Sequence, residues 1–202
     1  MNPLRIGVLA SHGGSNMQAI IDAIERGELD ARVVLVISNN SSSGAMERAR
    51  RHGLPARHLS GATHPDPEAL DQAIRDALAD AGAEVVVLAG YMKRIGPRTL
   101  ERFRGRMLNI HPALLPRHGG EGMYGLRPHE SALAAGDAET GATVHVVDEQ
   151  YDRGPILRQE RVPILAGDTP ETLQQRVLAV EHRIYPEVLA DIAAGRITLP
   201  TQ

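Results

Sequence analysis

An open, mostly parallel and twisted α/β sheet with helices on both faces is the fold this sequence predicts. Three observations carry it. Short, largely apolar runs at Arg5–Ala10, Arg32–Ile37 and Glu84–Ala89 alternate with segments whose apolar residues repeat at helical spacing. Those runs lack the polar alternation of a sheet with one wet face, so they suit strands buried on both sides. The second half changes character, and two strands flanking a long turn predict an antiparallel hairpin there.

The elements follow in order. Arg5–Ala10 is the first strand, and Ser11-His12-Gly13-Gly14-Ser15-Asn16 is a loop of turn and cap residues. Met17, Ile20, Ile21 and Ile24 mark a helix behind it. Arg32–Ile37 is a β-branched strand closed by the polar cluster Ser38–Ser43. A helix from about Gly44 to His52 leads to a short extended piece near Pro55–Leu59. Leu70, Ile74, Ala77, Leu78 and Ala81 share one face of the next helix, which precedes the strand Glu84–Ala89. A short helix after Pro97 leads to the strand Arg106–Ile110. His118–Gly125 carries four glycines in eight positions and predicts a mobile loop, with a helix from about Pro128 to Ala135 behind it. Strands at Ala142–Val147 and Pro155–Val162 flank Asp148–Gly154. Asp168-Thr169-Pro170-Glu171 pairs a capping residue with proline in the first turn, and Leu173, Val177, Val180, Ile184 and Val188 continue that helix to Gly195.

The chain has 202 residues, and with no repeat or linker in it the expectation is a single domain over 1–202. A chain of this size buries roughly 70% of its unfolded surface, enough for a sizeable core. A net charge of −3 gives no electrostatic reason to bind nucleic acid or an anionic membrane. One Phe and four Tyr are too few for a base-stacking platform. The absence of cysteine excludes disulfide scaffolds, thiolate zinc sites and a cysteine nucleophile, and fits a reducing cytoplasm. The start is too short and polar for a signal peptide, and no apolar run approaches the ~18 residues of a membrane span. No His-x-x-x-His or His-Glu-x-x-His pattern suggests a metal, and no Gly-x-Ser-x-Gly elbow suggests a serine hydrolase.

Three sets of residues carry candidate chemistry. In an open α/β sheet ligands gather at the carboxyl ends of the strands, so the loops after Ala10, Ala89 and Ile110 should converge. The Ser11–Asn16 loop is neither a Gly-x-x-x-x-Gly-Lys phosphate loop nor a Gly-x-Gly-x-x-Gly dinucleotide fingerprint. It suits a phosphate monoester held on backbone N–H groups, or else a plain glycine turn capped by Ser15 or Asn16. Asn109 and His111 lie two apart in an extended segment and so share a face. An amide donor beside an imidazole can hold the oxygen of a carbonyl under attack and manage the accompanying proton; the plain alternative is a polar strand end. Asp148 and Asp152 lie in the turn between the last two strands, where each either forms the turn or raises the pKa of a nearby imidazole.

Gly14-Ser15-Asn16-Met17-Gln18-Ala19-Ile20, Leu88-Ala89-Gly90-Tyr91-Met92 and Leu108-Asn109-Ile110-His111-Pro112-Ala113-Leu114-Leu115-Pro116 resemble blocks of the phosphoribosylglycinamide formyltransferases. Gly141-Ala142-Thr143-Val144-His145, Asp152-Arg153-Gly154-Pro155 and Glu181-His182-Arg183-Ile184-Tyr185-Pro186 match in the same order. The resemblance runs from Arg5 to about Leu199 and implies a Rossmann-like formyltransferase fold. It implies transfer of the formyl group of 10-formyltetrahydrofolate, a co-substrate, to the amine of glycinamide ribonucleotide, without a metal. These small molecules would be the partners, with no nucleic acid or membrane, for a cytoplasmic monomer or homodimer. By the same resemblance Gly14, Ser15 and Asn16 would hold the substrate phosphate and Glu181 the ribonucleotide. Met92, Lys93, Arg94 and Ile95, with Asn109, would bind the folate. Asn109 and His111 would stabilise the oxyanion, while Asp152 keeps His111 basic and helps with the amine proton.

The chain departs from the family pattern at Ala113, where serine is usual, at Arg153, and at Lys93, where arginine is usual. No arginine stands near Pro67 to meet the folate tail. Formyltetrahydrofolate deformylases share the Asn-His-Asp set but lack the Gly-Ser-Asn loop and carry an N-terminal regulatory domain. Methionyl-tRNA formyltransferases add a basic C-terminal domain, and a non-catalytic phosphate sensor on the same fold would bind no folate. The scarcity of aromatics predicts an aliphatic pterin slot built from Met92, Ile95, Leu108 and Val147 beside Tyr91.

Overall fold

The computed structural model describes residues 2–199; Met1 and residues 200–202 of the expected 1–202 domain lie outside it. Among the described residues seven strands form one sheet in the order β3-β2-β1-β4-β5-β6-β7. In chain order the elements are β1 (Leu4–Ala10), α1 (Ser15–Glu25), β2 (Ala31–Ser38), α2 (Gly44–Arg51) and β3 (Ala56–His58). Next come α3 (Pro67–Asp80), β4 (Val85–Leu88), α4 (Pro97–Arg102) and β5 (Met107–His111). The chain closes with α5 (Arg127–Ala134), β6 (Glu139–Val146), β7 (Ile156–Pro163) and α6 (Pro170–Ala193). Strands β1 to β5 pair in parallel, and β6 and β7 add on antiparallel. The mostly parallel sheet and the late hairpin are both as the sequence predicts, although β6 begins three residues earlier than expected, at Glu139.

Alternation along the strands divides the core in two. Ile6, Val8, Val85, Val87, Leu108 and Ile110 face α1 and α6, packing with Met17, Ile20, Leu173, Val177 and Tyr185. Leu9, Ile37, Val86, Leu88 and Met107 face the other way, onto Ile74, Leu78 and Phe103. Burial of both faces is why these strands are apolar without interruption. Helix starts follow their capping chemistry. Ser43 accepts from Met46 N–H, Asp66 from Ala69 N–H, and Thr169 exchanges bonds with Thr172 in a capping box.

Candidate active site

Polar groups at the strand ends knit the predicted loops together. Buried Ser11, just past β1, donates its backbone N–H to the Gly90 carbonyl at 3.1 Å. Its hydroxyl donates to Asn39 Oδ1 at 2.6 Å and accepts from Met92 N–H at 2.8 Å, tying the ends of β1, β2 and β4. From α6 the fully buried Tyr185 hydroxyl reaches the Leu108 carbonyl at 2.9 Å and the Leu88 carbonyl at 3.2 Å. That one group fixes the ends of β4 and β5 against the helix that carries Glu181.

Gly14 sits at the start of α1 with φ +70°, a left-handed conformation that suits glycine, and no side chain caps the helix. A Cβ there would lie 2.9 Å from Ala45 Cβ and 3.0 Å from Ala45 Cα, so the loop packs directly on α2. Neither Ser15 nor Asn16 therefore plays the cap role that the plain alternative required. The first N–H groups of α1 have no side-chain acceptor among the described residues, and with the helix dipole they favour an anion. Asn16 Nδ2 donates to Glu181 Oε1 at 3.2 Å, while the buried Asn16 Oδ1 has no partner among the described residues. Burial pushes the Glu181 carboxyl up to about 7, against the pull of the Asn16 bond. The structure thus brings Gly14, Ser15, Asn16 and Glu181 together.

The second cluster joins β5, β6 and the turn after β6. Asn109 and His145 are register partners, and Asn109 Nδ2 lies 3.3 Å from His145 Nε2. His145 Nδ1 meets the Val146 carbonyl at 3.0 Å. A carbonyl only accepts, so in the neutral ring that nitrogen carries the proton and Nε2 receives the Asn109 amide. Asp152 spans two imidazoles, with His111 Nδ1 at 3.5 Å from Oδ2 and His145 Nε2 at 3.5 Å from Oδ1. Gly120 N–H donates to Asp152 Oδ2 at 2.9 Å, and His111 Nε2 donates to the His118 carbonyl at 2.9 Å. Asp152 itself has φ +55°, a conformation that short polar side chains tolerate better than most. Nearby, a Cβ on Gly154 would stand 1.8 Å from the Val146 carbonyl oxygen, so only glycine lets this turn fold back on β6.

Burial pushes the Asp152 carboxyl up, but the adjacent His145 imidazole, the His111 charge and the Gly120 N–H outweigh it and leave it below its ordinary value. His111 corrects one expectation. Burial lowers its pKa and outweighs the upward effect of Asp152, so the carboxylate limits the fall rather than making the ring more basic than usual. Asp148 belongs to the turn, where its Oδ1 accepts Gln150 N–H at 2.8 Å. The choice between the two acids, open in the residues alone, is settled in geometry: Asp152 joins the imidazoles.

A cavity of about 110 Å³ opens beside this cluster, lined by Leu88, Tyr91, Lys93, Arg94, Ile95, Asn109, His145, Val147 and Asp152, among others. It adjoins a groove of about 1220 Å³ along α3 and α4 that shares Tyr91, Lys93, Arg94 and Ile95. Two residues of the expected pterin slot lie elsewhere. Met92 is 42% exposed and absent from both linings, and Leu108 is fully buried in the core on the opposite face of β5. Alternation explains the second: whatever puts Asn109 and His111 on the cleft side puts Leu108 on the other. His111 is 4% exposed and stands behind Asp152 rather than on the cleft wall. Lys93 and Arg94 have no acid within ion-pair distance among the described residues. No cluster of metal-ligating side chains occurs among them either, and no helix there is long and apolar enough to cross a membrane.

A family pattern described as formyl transferase matches residues 4–189. The chain belongs to the formyl transferase family. Among its relatives, a chloroplastic phosphoribosylglycinamide formyltransferase of Arabidopsis thaliana is 40% identical over 96% of this chain and 66% of its own length. The Escherichia coli phosphoribosylglycinamide formyltransferase is 39% identical over 97% of this chain and 90% of its own. A trifunctional purine biosynthetic protein of Bos taurus is 40% identical, and the chain spans only 19% of it. A solved glycinamide ribonucleotide transformylase 1 from Symbiobacterium toebii superimposes with TM-score 0.91 at 43% identity, covering 98% of this chain and 92% of that one. A formyltetrahydrofolate deformylase from Pseudomonas syringae reaches TM-score 0.86 at 26% identity, with 98% of this chain and 64% of that one covered.

Within this formyl transferase, His145 joins the cluster although residue type and local spacing do not single it out. It stood within a matched block, and its pairing with Asn109 follows only once β6 is set antiparallel to β5. Gly120 N–H and the His118 carbonyl were likewise invisible, because main-chain groups leave no signature in residue type.

Proposed function

We propose that this chain transfers the formyl group of 10-formyltetrahydrofolate to the amine of glycinamide ribonucleotide, and that 1–202 acts as one domain. The observation that carries the chemistry is the Asn109–His145–Asp152 wall of the cavity, backed by His111. The uncapped start of α1, with Glu181 behind it, supports the phosphate and ribonucleotide site. Lys93, Arg94 and Ile95 support a folate wall, and Met92 contributes its backbone through Ser11 rather than its side chain. Identity of about 40% to relatives named for this activity, against 26% to the deformylase, favours transfer over hydrolysis.

In this reading the amine nitrogen attacks the formyl carbon, and the carbonyl oxygen becomes an oxyanion. Asn109 Nδ2 has two N–H bonds; one meets His145, and the other remains for the oxyanion. Asp152 takes the proton lost by the amine. His111 Nε2–H is held by the His118 carbonyl, so the Nδ1 lone pair faces Asp152 and shares that proton. The proton then passes to the folate nitrogen as its bond to the formyl carbon breaks. All these residues come from one copy, so a monomer suffices and a homodimer is compatible. We place the reaction in the cytoplasm, in keeping with the cysteine-free composition.

The deciding assay supplies 10-formyltetrahydrofolate with and without glycinamide ribonucleotide. Product formed only with the amine is expected. Formate released without it would make the chain a deformylase, and binding of the ribonucleotide without turnover would make it a sensor.

A further inference from the structure

Arg48 is a half-buried guanidinium on α2 that the chemistry above does not use. Its Nε donates to the Gly13 carbonyl at 2.8 Å and its Nη1 to Gln18 Oε1 at 3.0 Å. No carboxylate lies within ion-pair distance of it among the described residues, although nearly every other half-buried arginine head group here meets an acid or a row of carbonyls. Gln18 passes the contact on to Asp22 through its own amide at 2.8 Å. The positive charge therefore stands against the loop uncompensated by a direct partner. The loop is held against α2, because Ala45 N–H donates to the His12 carbonyl at 3.0 Å and Gly44, without a side chain, lets Gly13 pack close.

Peptide geometry turns this contact into a statement about ligand binding. In a planar trans peptide the carbonyl of one residue and the N–H of the next point in opposite directions. Arg48 draws the Gly13 carbonyl toward α2, so the Gly14 N–H is aimed away from α2. The same bond offsets the partial negative charge of a carbonyl that would otherwise repel an anion close by. A second observation lies on the same loop: the buried Asn16 Oδ1 has no partner among the described residues.

We propose that Arg48 is a positioning residue for the phosphate of the ribonucleotide: it orients the Gly13–Gly14 peptide and adds a fixed positive charge behind it. This rests on the phosphate reading of the α1 loop given above. It assigns a role in substrate affinity, not in the formyl-transfer step. The guanidinium fork matters as well as the charge, since one lysine ammonium is a point charge that does not reproduce the planar two-point contact to Gly13 and Gln18.

The test compares Arg48→Met, Arg48→Lys and the control Arg51→Met in steady-state formyl transfer. Arg51 is on the same helix, is exposed and pairs with Glu47, so its loss changes net charge equally without touching the loop. Arg48→Met is expected to raise the ribonucleotide KM about tenfold, the factor that ~1.4 kcal/mol represents. The folate KM and kcat should stay within about twofold, as expected for an interaction equal in ground and transition states. Arg48→Lys should recover part of the loss, and Arg51→Met should match wild type. Competitive inhibition by ribose 5-phosphate against the ribonucleotide should weaken in parallel with the KM. An unchanged ribonucleotide KM in Arg48→Met would overturn the proposal, as would a fall in kcat with both KM values rising together, which marks a merely structural role. If ribose 5-phosphate fails to compete even in wild type, it is the phosphate reading itself that falls.

Discussion

Asp152→Asn isolates the charge at the centre of the proposed proton path. The variant keeps the shape of the side chain, and its amide oxygen can still accept the Gly120 N–H that Asp152 Oδ2 accepts at 2.9 Å. What it removes is a negative charge 3.5 Å from His111 Nδ1 and 3.5 Å from His145 Nε2. At an effective dielectric of about 20, one unit charge at that distance is worth roughly 5 kcal/mol to an imidazolium. His111 is already pushed down by burial, so without Asp152 it falls further and no longer accepts a proton in the reaction. The variant also loses the group that accepts the amine proton. Removing a proton-transfer group costs about 10²–10⁴ in rate, and the Coulomb figure lies at the upper end of that range. Single-turnover formyl transfer with both substrates saturating should show this loss in the chemical step, with ribonucleotide affinity by calorimetry little changed. Turnover within tenfold of wild type, in a variant with unaltered thermal stability, would refute the reasoning.

Other expectations can be checked independently. Ser15→Glu should raise the ribonucleotide KM by placing like charge beside the phosphate, yet raise the melting temperature slightly, because an acid in the first turn suits the dipole of α1. For Glu181 the folded pKa of about 7 lies above the ordinary value near 4.5, so the folded state binds the extra proton between them. Wild-type stability should therefore fall as pH rises from about 4.5 to about 7, by roughly 3 kcal/mol in all. Glu181→Gln should flatten that slope in denaturant titrations, and an unchanged slope would contradict the burial argument. Tyr185→Phe leaves the Leu88 and Leu108 carbonyls without the hydroxyl they share and should cost about 1–2 kcal/mol in chemical denaturation.

Much of this architecture was legible in the residues. Val85–Leu88 is apolar at every position because both faces of β4 are covered, and that pattern alone implies a parallel sheet with helices on each side. Thr169 and Pro170 mark the start of α6 because capping and proline at the first turn are local chemistry. Asn109 and His111 could be assigned to one face because strand periodicity is two. Their partners could not be reached that way. His145 and Asp152 lie 36 and 43 positions from Asn109, and nothing in local spacing says that β6 will turn antiparallel and bring them back.

By itself, the sequence determined the alternation of strands and helices, the glycine loop before α1 and the sharing of one strand face by Asn109 and His111. These depend on backbone propensity and periodicity over a few residues, which each segment carries alone. The tertiary structure decided the rest: Asp152 over Asp148, His145 beside Asn109, the withdrawal of His111 behind the carboxylate and the placement of Leu108 in the core. It also set the direction of titration at His111 and Glu181, since burial and neighbouring charge arise only when segments distant along the chain pack together.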